Sequence, residues 1–491
     1  MLLKKITRQS VFSSIFAMLS LAIEALNNPM YATPVTAKSA DSFVDSIGVN
    51  VHLTYDGTPY EKFEELVKPK LKELGVRYIR DGAYQEPNFF NKIKDLAANG
   101  TKTTLIFSGN PPSEVVTTVK KLKGALVAVE GANESDLEFF KFLYKGQKFP
   151  EGTRTYQKEI QNALNADPAT KDIPIVLPSM GWGENAKKMG YVGDLGDICN
   201  MHSYINLAQR PTADIDSYFI PHALTMCGER LPKWVTETGY HNAVPHELGL
   251  SEQAAGKYNP RLLLENFNRN IKRTYLYELF DQGTDKNDDQ ANYGLIRHNG
   301  SPKQAFTTIK NLISLLKEPG AKFTLSNLDY TLSGDTKSIH STLLQKSDGT
   351  FYLVLWQDAV SWNNDEKTDV AVPSKNIKVS LANSANEIEV YDPSKSASPI
   401  KTFSATRDIT VPIPDHPILL KIAGSKTQPS NINQKPQSST TSIEEKPLSN
   451  QKPKESPSQI KVKDPRSLEE TEPSEKQPEV EETKPSEEQP E

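Results

Sequence analysis

Between about residues 45 and 320 one unit recurs: a short apolar strand, a polar turn, then an amphipathic helix. Strands are expected at Ile47–Leu53, Val76–Arg80, Thr103–Phe107, Ala125–Glu130, Ile173–Pro178, Ile198–Tyr204, Lys233–Thr238 and Thr274–Phe280. Helical stretches lie between them; in Tyr60–Leu74, Phe63, Leu66, Leu71 and Leu74 are spaced to share one face. A last helix, Lys303–Leu316, follows the eighth strand. Eight strand-then-helix units over roughly 275 residues match a (β/α)8 barrel, whose usual size is about 250. A doubly wound open sheet is the competitor, but it would show fewer strands. No Gly-rich phosphate loop follows the first strand. The expected class is therefore α/β, a TIM barrel at residues 38–320.

After Gly320 the pattern becomes consecutive strands with turn punctuation: Phe323–Leu332, Ser338–Gln345, Thr350–Trp356, Ile377–Leu381, Ile388–Tyr391 and Ile409–Ile422. Thr350–Trp356 is apolar on both faces, as a strand inside a sandwich would be. A β-sandwich at 321–424 is expected. Beyond Gly424 there is no Gly, aromatic, Cys or Met, and Pro, Glu, Lys, Ser, Gln and Thr dominate. Such a segment cannot bury enough apolar surface to offset its ordering entropy, so 425–491 reads as a disordered tail, a spacer or envelope tether. It also helps explain why only 36% of the 491 residues are hydrophobic.

At the other end, Lys4, Lys5 and Arg8 precede a mostly apolar run, Val11–Ile23, too short to span a bilayer comfortably. Residues 1–37 read as an export signal cut after Val35-Thr36-Ala37, with Tyr31-Ala32 as an alternative site. The mature chain is then secreted, or periplasmic at the cell envelope, with no transmembrane segment. A net charge of −5 without a basic domain argues against nucleic acid as a partner. The chain has two cysteines, Cys199 and Cys227. They form either a bridge in an oxidising compartment or two buried thiols.

A barrel of this kind builds its active site where the strands end at their C-terminal mouth. Strand one ends with Asn50 and His52 on one face, and strand two with Arg80-Asp81. Strand four runs into Asn133-Glu134, and strand six carries Asn200, His202 and Tyr204 on alternate positions. Strand seven ends at Glu237; strand eight brings Tyr277, Glu278 and Asp281. Glu134 and Glu237, from strands four and seven, would face one another across the mouth. Facing carboxyls suit glycosidic cleavage: one protonates the leaving oxygen, the other attacks the anomeric carbon or activates water. Their separation decides between retention and inversion.

Asn133-Glu134 after strand four, Trp234-Val-Thr-Glu237 at strand seven, His202-Ser-Tyr204 at strand six and Arg80 at strand two together resemble glycoside hydrolase clan A. These are retaining (β/α)8 glycosidases, several with a β-sandwich after the barrel, so the resemblance covers roughly residues 45–424. It implies Glu134 as acid/base, Glu237 as nucleophile, and Asn133 as the residue that bonds the sugar 2-hydroxyl. It also implies Arg80 beside the nucleophile, Tyr204 donating to Glu237, and His202 contacting sugar or supporting those that do. The substrate it implies is a β-linked poly- or oligosaccharide or glycoside, cleaved without cofactor or metal.

Plainer readings stand beside these. Glu134 sits in Asn-Glu-Ser-Asp, a helix-start pattern; Glu237 could be a surface carboxylate, Arg80 a structural ion-pair partner and His202 a satisfied barrel histidine. Glu130, four residues earlier, is a rival acid. Trp182 after strand five could stack on a sugar ring or pack under a loop, and Trp356 reads as core or domain interface. His241 and His246 lack the framework of a zinc site. Sugar identity, endo or exo action and oligomeric state stay open. A non-catalytic glycan-binding or envelope protein on the same barrel is the alternative function.

Overall fold

The computed structural model describes residues 33–205 and 208–423. The expected tail, and the expected export signal up to residue 32, lie outside the described residues. Eight parallel strands form the barrel: Ile47–Asn50, Tyr78–Gly82, Lys102–Ile106, Leu126–Glu130, Ile175–Val176, Cys199–His202, Lys233–Thr238 and Arg273–Leu276. They pair in chain order, and the eighth returns to the first, Thr274 opposite Ile47. The fifth and sixth meet through one bridge, Val176 with Ile198. Each expected strand is present, most trimmed at the ends. The fifth is the shortest because Pro174 and Pro178 flank it and neither has an N–H to give a neighbour.

Helices such as Pro87–Ala98, Glu151–Ala166, Glu252–Asn268 and Gln304–Leu316 cover the barrel. Tyr60–Leu74 is not one continuous α-helix. It divides into a 3-10 turn at Pro59–Glu61, a π turn at Phe63–Val67 and an α-helix at Lys68–Leu74. Pro69 has no N–H for the carbonyl four residues back. Ahead of it the backbone widens, and the amides of Leu66 and Val67 both turn to the Lys62 carbonyl at 2.8 and 3.2 Å. The apolar face survives, with Phe63, Leu71 and Leu74 buried. Cys199, opening the sixth strand, is disulfide-bonded to Cys227 at the end of helix Ile220–Cys227.

The second domain is one sheet folded over on itself. Its order is Thr33–Thr36, Asn327–Ser333, Lys375–Tyr391, Ile418–Ile422, Phe351–Gln357, Ile339–Gln345 and Lys38–Ser39, with Pro399–Ile413 paired along Lys375–Tyr391. The register of Lys375–Tyr391 breaks between Ser380 and Ala385. Ahead of the break it pairs with Asn327–Ser333 and beyond it with Ile418–Ile422. One core therefore gathers Ile377 and Val379 with Leu353, Leu355, Ile388 and Leu420. Residues 33–37, expected in the export signal, belong to this sheet, and so do Lys38 and Ser39, expected in the barrel. Thr33–Thr36 lies at one end of the order and Lys38–Ser39 at the other, so the chain at Ala37 joins the two ends.

Phe351–Gln357 is buried along its whole length. Leu353 and Leu355 face the sheet's own core, while Tyr352, Val354 and Trp356 join the barrel's. The contact is also polar: Trp356 Nε1 donates to Glu265 Oε1 (2.9 Å), and Arg261 donates to Asp358 (2.9 Å) and Lys257 to Asp415 (2.8 Å).

Candidate active site

Arg80, in the middle of the second strand, is 1% exposed and organises the mouth. Its Nε and Nη2 grip both oxygens of Glu130 at 2.7 Å each. Nη1 donates to Glu237 Oε1 at 2.6 Å and to Asn50 Oδ1 at 2.9 Å, and Nη2 also reaches Asn133 Oδ1 at 2.7 Å. The planar guanidinium suits this work, since its donors are fixed in a fork and stay charged when buried. Glu130, wholly buried, also accepts from Asn200 Nδ2 at 3.0 Å. Its carboxylate is thus a buried counter-charge. The side-chain oxygen of Asn133 is taken by Arg80, which leaves its amide nitrogen as the group that can donate outward.

Glu134, the residue after Asn133, lies in the left-handed backbone region (φ 41°), which costs a side chain about 1–3 kcal/mol. The turn holding it is built from both sides: Leu137 N bonds back to the Glu134 carbonyl, and Glu134 N donates to Ser179 Oγ at 3.1 Å. Its carboxylate meets His202 Nδ1 at 2.6 Å. The other ring nitrogen of His202 lies 3.1 Å from Thr236 Oγ1. Burial alone would lower the His202 pKa, but the charges of Glu237 and Glu134 outweigh it and raise it.

A β-bulge sets the seventh strand. Met201 pairs with Val235 but His202 with Glu237, so Thr236 is the extra residue. In a regular strand consecutive side chains point to opposite faces; at a bulge they need not. Here Thr236 reaches Asn200 (2.7 Å) while Glu237 accepts from Arg80 and, at its other oxygen, from Tyr204 OH at 2.8 Å. Burial works against the Glu237 charge, yet His202, Arg80 and the Tyr204 bond together hold its pKa below the ordinary carboxylate value. One oxygen of Glu134, one of Glu237 and a ring nitrogen of His202 all lie within 4.8 Å of one another.

That triple is the one His-and-carboxylate group among the described residues compact enough to share an ion, and hydrogen bonds already engage its members. His241 and His246 sit with rings 5.1 Å apart and form no such group.

Across the mouth His52 stacks on Tyr55 (centroids 4.3 Å) and its Nε2 lies 3.2 Å from Tyr277 OH and 3.3 Å from Glu278. Burial holds the His52 pKa down to about 4. Burial also pushes Glu278 well above the carboxylate range, although Tyr60 OH donates to it at 2.7 Å. Tyr277 and Tyr204 both pack against Tyr293. Trp182 is 58% exposed on the loop after strand five, outside this network.

The expected residues Asn50, Arg80, Asn133, Glu134, His202, Tyr204 and Glu237 therefore converge, and His52 and Tyr277 line the adjoining wall. Thr236, Ser179, Tyr60 and Tyr293 went unassigned in the sequence; Glu278 was named there among the strand-eight residues, without a role. Alternation places Thr236 on the far side from Glu237, and the others are small or aromatic residues of no distinctive spacing.

No protein-family model and no curated protein matches this sequence. Solved structures do. A family 39 glycoside hydrolase from Bacteroides cellulosilyticus WH2 superposes with a TM-score of 0.50 at 14% identity, covering 79% of this chain and 83% of its own. A glucosidase from Croceicoccus marinus gives 0.54 at 10% identity over 80% and 98%. The chain has the fold of the barrel glycoside hydrolases.

Proposed function

We propose that this protein is an exported, retaining glycoside hydrolase acting on a β-linked glycan or glycoside, with Glu237 as nucleophile and Glu134 as acid/base. The observation that carries the reading is the pair itself: two carboxylates with oxygens within 4.8 Å, held in unlike settings. A separation of about 5–5.5 Å leaves no place for water between sugar and base, so the second carboxylate attacks directly.

Glu237, kept ionised by Arg80, His202 and Tyr204, attacks the anomeric carbon. The bond to the leaving oxygen breaks with its electron pair as Glu134 gives that oxygen a proton. Glu134, now ionised, takes a proton from water, whose oxygen attacks the same carbon and releases Glu237. Asn133 offers its amide to the sugar 2-hydroxyl, a contact that strengthens as charge develops on the ring. No step uses a metal or cofactor.

Export is supported by the basic-then-apolar N-terminus and by the Cys199–Cys227 disulfide, which suits an oxidising compartment. Cleavage after Ala32 keeps the strand Thr33–Thr36, whereas cleavage after Ala37 removes it.

The test is a panel of aryl β-glycosides with NMR of the first-formed product. Wild type should release a β-configured sugar first, and Glu237→Gln should lose turnover. An α-configured first product would overturn retention; wild-type turnover in Glu237→Gln would overturn the nucleophile.

A further inference from the structure

Of the exposed large apolar side chains among the described residues, three fall within five positions: Phe139 (71% exposed), Phe140 (46%) and Leu143 (58%). They follow Glu134 through two tight turns, Leu137 N to the Glu134 carbonyl and Phe140 N to the Leu137 carbonyl. The segment is tied down rather than loose. Tyr144 and Gln147 exchange both backbone bonds at 2.9 Å around Lys145-Gly146, whose φ values of 50° and 74° fit a type I′ hairpin turn. Phe142 and Tyr144 pack inward on Tyr156, and Tyr144 OH and Lys145 both bond Glu159. With Phe142 and Tyr144 anchored inward, Leu143 between them is held outward, and Phe139 and Phe140 on the turn before them are exposed.

The neighbouring loop is fixed to the same place. Asp136 accepts from the backbone amides of Gly181 and Trp182 at 2.9 and 3.0 Å, and from Asn185 at 2.9 Å. Leu137 lies so close to Gly181 that a side chain there would collide with it at 2.5 Å. The exposed indole of Trp182 therefore stands beside the segment that carries Glu134.

In a retaining glycosidase the acid/base stands against the leaving oxygen, so whatever is attached to that oxygen lies on the Glu134 side. We propose that Phe139, Phe140 and Leu143, with Trp182, form an apolar shelf for the leaving group, and that the substrates are glycosides with an alkyl or aryl aglycone. This rests on Glu134 being the acid/base. Large apolar faces left in water next to a reaction centre gain most by covering hydrocarbon. Because the second step reverses the first, the shelf also favours alkyl or aryl alcohols over water as glycosyl acceptors.

The test needs no turnover. Full-length protein is mixed with octyl β-D-glucopyranoside below its micelle concentration, or with methyl β-D-glucopyranoside, and saturation transfer from protein to ligand is read by NMR. Alkyl protons of the octyl compound should receive saturation, falling at least about fivefold in Phe139→Ser/Phe140→Ser. Both side chains are exposed, so this variant should fold. Equal saturation in the variant, or none in wild type, overturns the shelf.

Kinetics then separate the shelf from the catalytic reading. On the sugar that wild type accepts, kcat/KM should rise about twofold per methylene from methyl to hexyl, half the free energy of full burial, and stay flat in the variant. Saturation intact but no turnover of any alkyl or aryl glycoside would overturn the catalytic reading and the leaving-group role with it, leaving only an alkyl-binding surface. Turnover without chain-length dependence would refute the shelf alone. Variant-sensitive binding to phosphatidylcholine–phosphatidylglycerol vesicles, without octyl glucoside saturation, would reassign the surface to a bilayer and overturn the proposal.

Discussion

Glu130→Gln separates structure from chemistry at this mouth. Glu130 is fully buried and gives both oxygens to Arg80, with Asn200 donating to one of them. Glutamine keeps the shape but removes the charge and turns an acceptor into a donor that faces other donors. Breaking one side of a buried ion pair costs about 3–5 kcal/mol. Unfolding roughly 390 residues carries an entropy of about 0.8 kcal/mol/K, so the melting temperature should fall by about 4–6 °C. Glu237 keeps some contact with solvent at the mouth, and Arg80 retains Glu130 without it. Glu237→Gln should therefore melt within about 2 °C of wild type while losing about four orders of magnitude in turnover. Calorimetry beside an aryl glycoside assay reads both. Glu130→Gln with unchanged melting and turnover lost to the background would show that Glu130, not Glu134, is the acid, and would refute this reasoning.

Activity should be bell-shaped in pH, with an acidic limb below the ordinary carboxylate range, because Glu237 must be ionised and its pKa is held down. Tyr204→Phe removes one donor to it and should move that limb up by about one pH unit; an unmoved limb would detach Tyr204 from the nucleophile. Reduction of Cys199–Cys227, 28 residues apart, should lower stability by about 3.6 kcal/mol in the loop-entropy account, seen as a drop of about 4–5 °C under reductant. Burial opposes the charge on Asp415, but His416 beside it (3.8 Å) and bonds from Lys257 and Ser361 outweigh it and depress its pKa. Its contribution is therefore present above about pH 4 and lost as pH falls below that. Asp415→Asn should flatten the acid loss in urea titrations at pH 7 and pH 3.

The barrel was legible because buried parallel strands are short apolar runs, and a helix must follow each one. The carboxylates were legible because they stand where apolar strands run out, Glu134 just past the fourth strand and Glu237 near the end of the seventh. The bulge at Thr236 was not legible: alternation assumes the pairing that a bulge breaks. The division of Tyr60–Leu74 went unseen because its apolar spacing survives the π turn. The long strand Pro399–Ile413 left little signal, since most of its first ten residues are exposed and carry no alternation. Thr33–Ser39 gave none either. Two short edge strands look like any small polar stretch until their partners, some three hundred residues later, are placed beside them.

Those seven residues also govern when the second domain can be finished. Thr36 faces Asn327, so this strand emerges from the ribosome long before its partner exists, with the entire barrel made between them. Until residues 33–39 dock, Asn327–Ser333 and Ile339–Gln345 each present an uncovered backbone edge, the template on which a second chain can add. A fragment cut to begin at the barrel's first strand would keep both edges open permanently. It would be prone to self-association even with its barrel intact, and adding back residues 33–39 should restore a monomer.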